Sequence, residues 1–232
     1  MENFQDITAA TGITQEKLNV EVNVVSRLRQ LFHEPVPGYA MYGGTALNMV
    51  YFGKRQRISY DIDLKCENLK KTEKEFGKVF GHEIKTNKMH RFVDENKIKI
   101  DLSGKNVDAE PKKMRAESIP FHFGYGMYYA DVLTYAYEIL FAEKLLAFAN
   151  RGVPKDLYDV WVGKDMPFER ELLLETLVGM ANKAKTDPRI IITRHHHVDT
   201  DMGKIDSLVP NLDGKKMYAE VQGFIRELFF EE

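Results

Sequence analysis

The chain has 232 residues, of which 44% are hydrophobic and 29% charged, and a formal net charge of −2 at neutral pH. That length allows one domain or two small ones with a sizeable apolar core and no need of a metal or disulfide staple, and the charge balance excludes the strongly basic composition of a general nucleic-acid binder. Cys66 is the single cysteine, which excludes an intramolecular disulfide; with no signal-type N-terminus and no run near the roughly 20 apolar residues that span a bilayer, the expectation is a cytoplasmic protein that does not enter a membrane.

In chain order, residues 14–31 carry Leu18, Val20, Val22, Val25, Leu28 and Leu31 and predict a helix, which Glu34-Pro35-Val36-Pro37-Gly38 breaks. Residues 39–42 predict a short strand that ends at Gly43-Gly44, with a helix over 45–52 and Thr45 as its N-cap. The cluster Lys54, Arg55 and Arg57 reads as solvated surface. A second strand is expected over 59–66, an amphipathic helix over 69–80, an edge strand within 83–91, a half-buried strand over 97–102 and a further strand over 118–123. From residue 134 the pattern turns helical, with helices over 135–150, 155–162, 168–185 and 214–230; residues 190–212 read as irregular. The fold class is therefore α/β (α+β): a strand-rich first half with a mixed sheet, residues 1–130, and a mostly helical second half, residues 131–232.

Asp61 and Asp63 flank Ile62 on one of these strands. Side chains alternate along a strand, so both carboxylates face one way and Ile62 anchors the other side. Two hard oxygen ligands aimed at one spot suit Mg²⁺, which prefers carboxylates together with the phosphate oxygens of a substrate. Asp101, on the strand 97–102, is a candidate third carboxylate. Upstream, the paired glycines Gly43 and Gly44 allow close approach of a ligand to the backbone, and the helix that follows offers free N–H groups to phosphate.

Gly43-Gly44-Thr45-Ala46-Leu47 followed by Arg57-Ile58-Ser59-Tyr60-Asp61-Ile62-Asp63-Leu64 resembles the signature of the AbiEii/AbiGii-type nucleotidyltransferases, members of the DNA polymerase β-like superfamily. The resemblance continues through Ala142-Glu143-Lys144-Leu145-Leu146-Ala147, Asn150-Arg151 and Lys155-Asp156-Leu157-Tyr158-Asp159-Val160, and spans residues 42–160. It implies a nucleotidyltransferase core whose site is completed by the helical half. There, an acceptor hydroxyl attacks the α-phosphate of a nucleoside triphosphate and pyrophosphate leaves. It also implies Mg²⁺ or Mn²⁺ on Asp61, Asp63 and Asp101. Gly43, Gly44, Thr45 and Ser59 would contact phosphate, and Lys144 would place a point charge on the β- and γ-phosphates. Arg151 and Asp156 are secondary nucleotide-site candidates, and Asp159 is the favoured partner for Lys144. Many relatives are toxins of abortive-infection or toxin–antitoxin systems and some modify tRNA ends, which makes tRNA or protein the candidate acceptor and a cognate antitoxin the candidate partner. The alternatives are a non-catalytic nucleotide- or partner-binding module of the same fold and a metal-dependent phosphohydrolase.

The remaining features read as structural. His195-His196-His197 lacks the spacing of a zinc site. Phe121, Phe123, Tyr125, Tyr128 and Tyr129 read as packing, Trp161 as core, and Cys66 as a small buried apolar residue.

Overall fold

A computed structural model describes residues 3–33, 38–85, 89–105, 108–185, 187 and 198–230. His195, His196 and His197 and the segment 34–37 lie outside the described residues. The chain divides into two compact units, Met1–Tyr135 and Ala136–Glu232. The boundary expected after residue 130 falls within Tyr129–Thr134, a strand of the first unit.

The first unit holds a mixed seven-stranded sheet of order β3-β4-β5-β2-β1-β7-β6. Its strands are β1 (Tyr39–Tyr42), β2 (Asp61–Cys66), β3 (Gly81–Lys85), β4 (Met89–Val93), β5 (Lys99–Gly104), β6 (Lys112–Glu117) and β7 (Tyr129–Thr134). β2 runs parallel to β5 and β1 parallel to β7; the other neighbours are antiparallel. One face is apolar because every second residue is: Ile62, Leu64, Cys66, Ile100, Leu102, Phe92, Met41 and Val132 are all buried. After a short helix α1 (Gln5–Thr11), helix α2 (Gln15–Leu31) packs against β7 and α4 (Leu69–Phe76) against β5. Phe76 of α4 stands 5.7 Å from the Tyr39 ring and 5.8 Å from Phe92. Burial pushes the Cys66 thiol up to about 11, as befits a packing residue.

Three expectations are corrected here. Residues 118–123 form a short helix, α5 (Ile119–His122), and not a strand: Pro120 lacks an N–H and suits the first helical turn. The strands in this region are β6 and β7 on either side of it, with β6 at the sheet edge, where its charged residues can face water. The segment 83–91 contributes to two strands, β3 and β4, of which β3 is the edge. The helix expected over 69–80 ends at Phe76. A tight turn joins β4 to β5, with Asp94 Oδ1 accepting from the N–H groups of Asn96 and Ile98, both at 2.8 Å, and Lys97 at φ 62°.

Two charged residues are buried on α2: Arg27, whose Nε donates to Asp94 Oδ2 at 2.8 Å, and Glu21. Glu21 is fully enclosed, and its Oε2 accepts from Ile119 N at 2.8 Å. Burial pushes this carboxyl up to about 8 against the lowering effect of that hydrogen bond, so it is largely protonated at neutral pH.

The second unit is helical: α6 (Tyr137–Arg151), α7 (Pro154–Gly163), α8 (Arg170–Lys183) and α9 (Gly214–Phe230). Gly152, in the left-handed region at φ 55°, ends α6 with its N–H on Phe148 O at 2.9 Å, and Pro154 opens α7. α6 packs on α7 and α8, and α7 on α9. Phe141 is central, 5.2 Å from Tyr137, 6.1 Å from Phe168 and 6.0 Å from Phe224. A Cβ at Gly163 would lie 2.4 Å from the Phe141 ring, so α6 and α7 reach this distance only with glycine there.

Candidate active site

β1 ends at Tyr42, and the chain turns at Gly43, with φ 71°, directly into helix α3 (Gly43–Leu47), which continues as a π-helical turn, Asn48–Phe52. The helix therefore begins two residues earlier than expected. Tyr42 is its N-cap, and Thr45 is not. The Thr45 hydroxyl donates instead to Asp61 O at 2.5 Å, with Asp61 Oδ1 3.4 Å away. Asn48, a residue the sequence reading passed over, is fully buried and works in two directions. Its Nδ2 donates to Gly44 O and its Oδ1 accepts from Arg57 N, both at 2.9 Å. Thr45 and Asn48 thus fasten the glycine turn to the start of β2.

On β2, Asp61 and Asp63 are half-buried while Ile62 and Leu64 behind them are fully buried. A Cβ on Gly43 would lie 2.2 Å from Asp63 Oδ2, so the carboxylate rests directly against the glycine backbone. Gly43 is fixed twice over, by its positive φ and by this contact. Register extends the polar face sideways. Tyr42 stands opposite Asp63 on β1, Lys99 and Asp101 stand beside Asp61 and Asp63 on β5, and Arg91 stands opposite Asp101 on β4. Lys65 shares this face and lays its Nζ 4.6 Å from the Tyr42 ring centre. Farther along, Ala40, Lys65, Lys105 and Tyr135 help line a cavity of about 240 Å³.

Asp101 lies in the expected strand and in register with Asp63, but both of its oxygens are engaged. Arg91 Nε donates to Oδ1 at 2.7 Å and Arg91 Nη2 to Oδ2 at 2.6 Å. Among the described residues, no three His, Cys, Asp or Glu side chains are grouped as a metal site. The donor set that fits a divalent cation is therefore the half-buried Asp61–Asp63 pair, with water and substrate oxygens to complete a hard-ligand shell.

In the second unit, α6 and α7 bring Lys144, Arg151, Asp156 and Asp159 together. Lys144 Nζ is 3.0 Å from Asp156 Oδ1 and 2.9 Å from Asp159 Oδ2. Arg151 Nε reaches Asp156 Oδ2 at 2.6 Å and Nη2 reaches Oδ1 at 2.9 Å. Both aspartates are 0% exposed and Lys144 is 5% exposed, which rules out the surface lysine that helical lysines usually are. Burial by itself would raise the Asp156 carboxyl; the hydrogen bonds of Arg151 and the Lys144 ammonium outweigh it and hold the group below the ordinary carboxylate range. The Lys144–Asp159 pairing implied by the motif is present, and Asp156 shares the same ammonium.

Other expected positions differ. Ser59 precedes β2 and is buried at 1%, with Arg57 Nη1 3.5 Å from its Oγ, so its hydroxyl is closed to a phosphate in this structure. Arg57 is buried and not solvated surface, and its Nη1 also donates to Ile58 O at 3.2 Å. Trp161 is half-buried, with Nε1 donating to Glu220 Oε2 at 2.7 Å. Of the aromatic run, Tyr125 and Tyr128 pack on Phe4 at 4.9 and 5.8 Å, while Phe123 is exposed.

A mixed sheet followed by a helical unit is a fold this chain shares with a solved nucleotidyltransferase toxin. MenT4, a nucleotidyltransferase toxin from Mycobacterium tuberculosis H37Rv, is similar in structure with a TM-score of 0.73 and 14% sequence identity, over 100% of this chain and 91% of that one. The family profile described as nucleotidyl transferase AbiEii toxin, type IV toxin–antitoxin system, matches residues 28–230. The chain belongs to this AbiEii family of nucleotidyltransferases. No curated protein matches it. No helix among the described residues is long and apolar enough to cross a membrane.

Proposed function

We propose that the chain transfers a nucleotide from a nucleoside triphosphate to an acceptor hydroxyl with release of pyrophosphate, as the toxin of a toxin–antitoxin pair. The observation that carries this reading is the half-buried Asp61–Asp63 pair, with Asp63 resting against the backbone of Gly43. Asp61 and Asp63 would hold Mg²⁺ or Mn²⁺, which supplies charge neutralisation at the reacting phosphate. Gly43 and Gly44, at the turn from β1 into α3, would offer their backbone N–H groups to the phosphates. Thr45 acts one step back by fixing Asp61 through its main chain. By the family resemblance alone, Lys144, held within the second unit by Asp156 and Asp159 with Arg151 steadying Asp156, is the candidate cation for phosphate oxygens. The acceptor is tRNA or a protein hydroxyl, and the partner that restrains the activity is a cognate antitoxin.

The test is incubation of the chain with each labelled nucleoside triphosphate, Mg²⁺ or Mn²⁺, and total RNA or total protein. Label should move onto one acceptor class and should not move with Asp61→Ala. Label on no acceptor, or equal label from Asp61→Ala, would sink the reading. Nucleotide bound without turnover would make the chain a binding module, and phosphate release without an acceptor would make it a phosphohydrolase.

A further inference from the structure

Arg91, Asp101 and Asp63 form one row across β4, β5 and β2, because Arg91 is in register with Asp101 and Asp101 with Asp63. Neighbouring strands are about 4.8 Å apart, so two carboxylates stand one strand apart with a guanidinium on the far side of the second. Like charges placed side by side on a sheet repel, and a fixed cation on one of them removes most of that repulsion. Arg91 does this with a two-pronged grip at 2.7 and 2.6 Å, and the pair is mostly enclosed, at 24% exposure for the Arg91 side chain and 10% for Asp101. The fork geometry is specific to arginine: a lysine supplies charge but cannot hold both oxygens in one plane.

We propose that Arg91 is a positioning residue that confines divalent-cation binding to Asp61 and Asp63, by standing as a resident cation on Asp101 and withholding that carboxylate as a third ligand. The inference rests on the reading that Asp61 and Asp63 hold the metal. A pair serving only to join β4 to β5 would leave cation binding unchanged when broken. A resident cation would not: without Arg91 the face carries three carboxylates and one positive charge fewer.

The experiment is a titration of the full chain with Mn²⁺ alone, followed by the EPR signal of free Mn²⁺, with thermal unfolding as a check on folding. Arg91→Gln should bind Mn²⁺ about tenfold more tightly than the native chain. Arg91→Gln with Asp101→Asn should return to native affinity, and Arg91→Lys, which keeps the charge but releases one oxygen, should fall between the native chain and Arg91→Gln. Native-like binding by Arg91→Gln, or tight binding that survives Asp101→Asn, overturns the proposal. If Arg91→Gln does not fold, Arg91→Met with Asp101→Leu, which removes both charges together, decides: unchanged Mn²⁺ affinity upholds the proposal, and a tenfold loss overturns it by making Asp101 a ligand. Asp61→Asn with Asp63→Asn tests the underlying reading separately. Mn²⁺ bound as well by that double variant as by the native chain defeats the metal assignment whatever Arg91 does.

Discussion

The two units each carry a pair of aspartates near one another in sequence, and the pairs live in opposite surroundings. Asp61 and Asp63 are half-buried on the face of a sheet, against a glycine turn. Asp156 and Asp159 are wholly buried on a helix, and a lysine bonds both of them. The second pair is electrically complete: Lys144 and Arg151 supply the charge that burial demands. The first pair is only half-buried, so burial demands much less compensating charge of its surroundings. Motif spacing alone puts both pairs on an equal footing; burial separates a half-buried pair on a sheet from a pair enclosed around a lysine.

The largest expected effect breaks the open pair. Asp61→Ala should reduce nucleotide transfer about 10³-fold, the loss of several kcal/mol of charge stabilisation at the reacting phosphate. Its unfolding temperature should stay at or above the native value, because a half-buried group on a like-charged face contributes little to folding. A matching fall in unfolding temperature would place Asp61 in the same structural class as Asp156. The converse change is Asp156→Asn. It deprives Lys144 and Arg151 of a shared partner, and removal of one member of a buried ion pair costs about 3 kcal/mol. Asp156 also sits below the ordinary carboxylate range, so its contribution is present above the unfolded-state value near 3.8 and is lost as pH falls through the folded one. Urea unfolding at pH 7 checks the magnitude: a cost under about 0.5 kcal/mol, the level of an exposed pair, would show that the cluster does not hold α6 to α7.

Much of this contrast could be read in the sequence, and the parts that could not have physical reasons. The two-residue period of Asp61-Ile62-Asp63 gave both the strand and the shared face, and the alternation after Lys97 placed Asp101 on a strand. The partner of Asp101 was hidden because Arg91 meets it only through the pairing of β4 with β5, and part of the connection lies in the short segment Met89–Val93. The burial of Lys144 was legible but passed over: Phe141 and Phe148 stand three residues before and four after it on the buried stripe of α6. Thr45 was misjudged because serine and threonine next to a helix start suit a cap, whereas the positive φ of Gly43 lets the helix begin earlier and frees the hydroxyl for Asp61. β6 was missed because Lys112, Lys113 and Arg115 give an edge strand little apolar signal.

Glu21 supplies a third case, a buried carboxyl of the first unit that adapts by keeping its proton. Its folded-state value of about 8 lies above the unfolded 4.5, so the folded chain binds a proton that the unfolded chain releases over that interval. Stability from this group is full below about 4.5 and declines as pH rises toward 8. Glu21→Gln should flatten the decline, gaining on the order of 5 kcal/mol over the native chain at pH 9 relative to pH 4. Unfolding free energies at the two pH values measure it, and parallel curves for the two proteins would show that Glu21 is ionised in the folded chain at neutral pH.

The smallest effect is the most diagnostic for the open site. Thr45→Val removes the hydroxyl that donates to Asp61 O and leaves that buried carbonyl without this donor, a cost of about 1 kcal/mol. If Thr45 acts through Asp61, transfer should fall less than with Asp61→Ala, the KM for the nucleotide should stay near native while kcat drops, and Thr45→Ser should restore both stability and rate. A hydroxyl that touched the triphosphate itself would show its loss in the KM instead. A selective rise in KM would therefore move Thr45 from holding the carboxylate to holding the substrate, and would make the glycine turn, and not the strand, the part of the open site that grips the nucleotide.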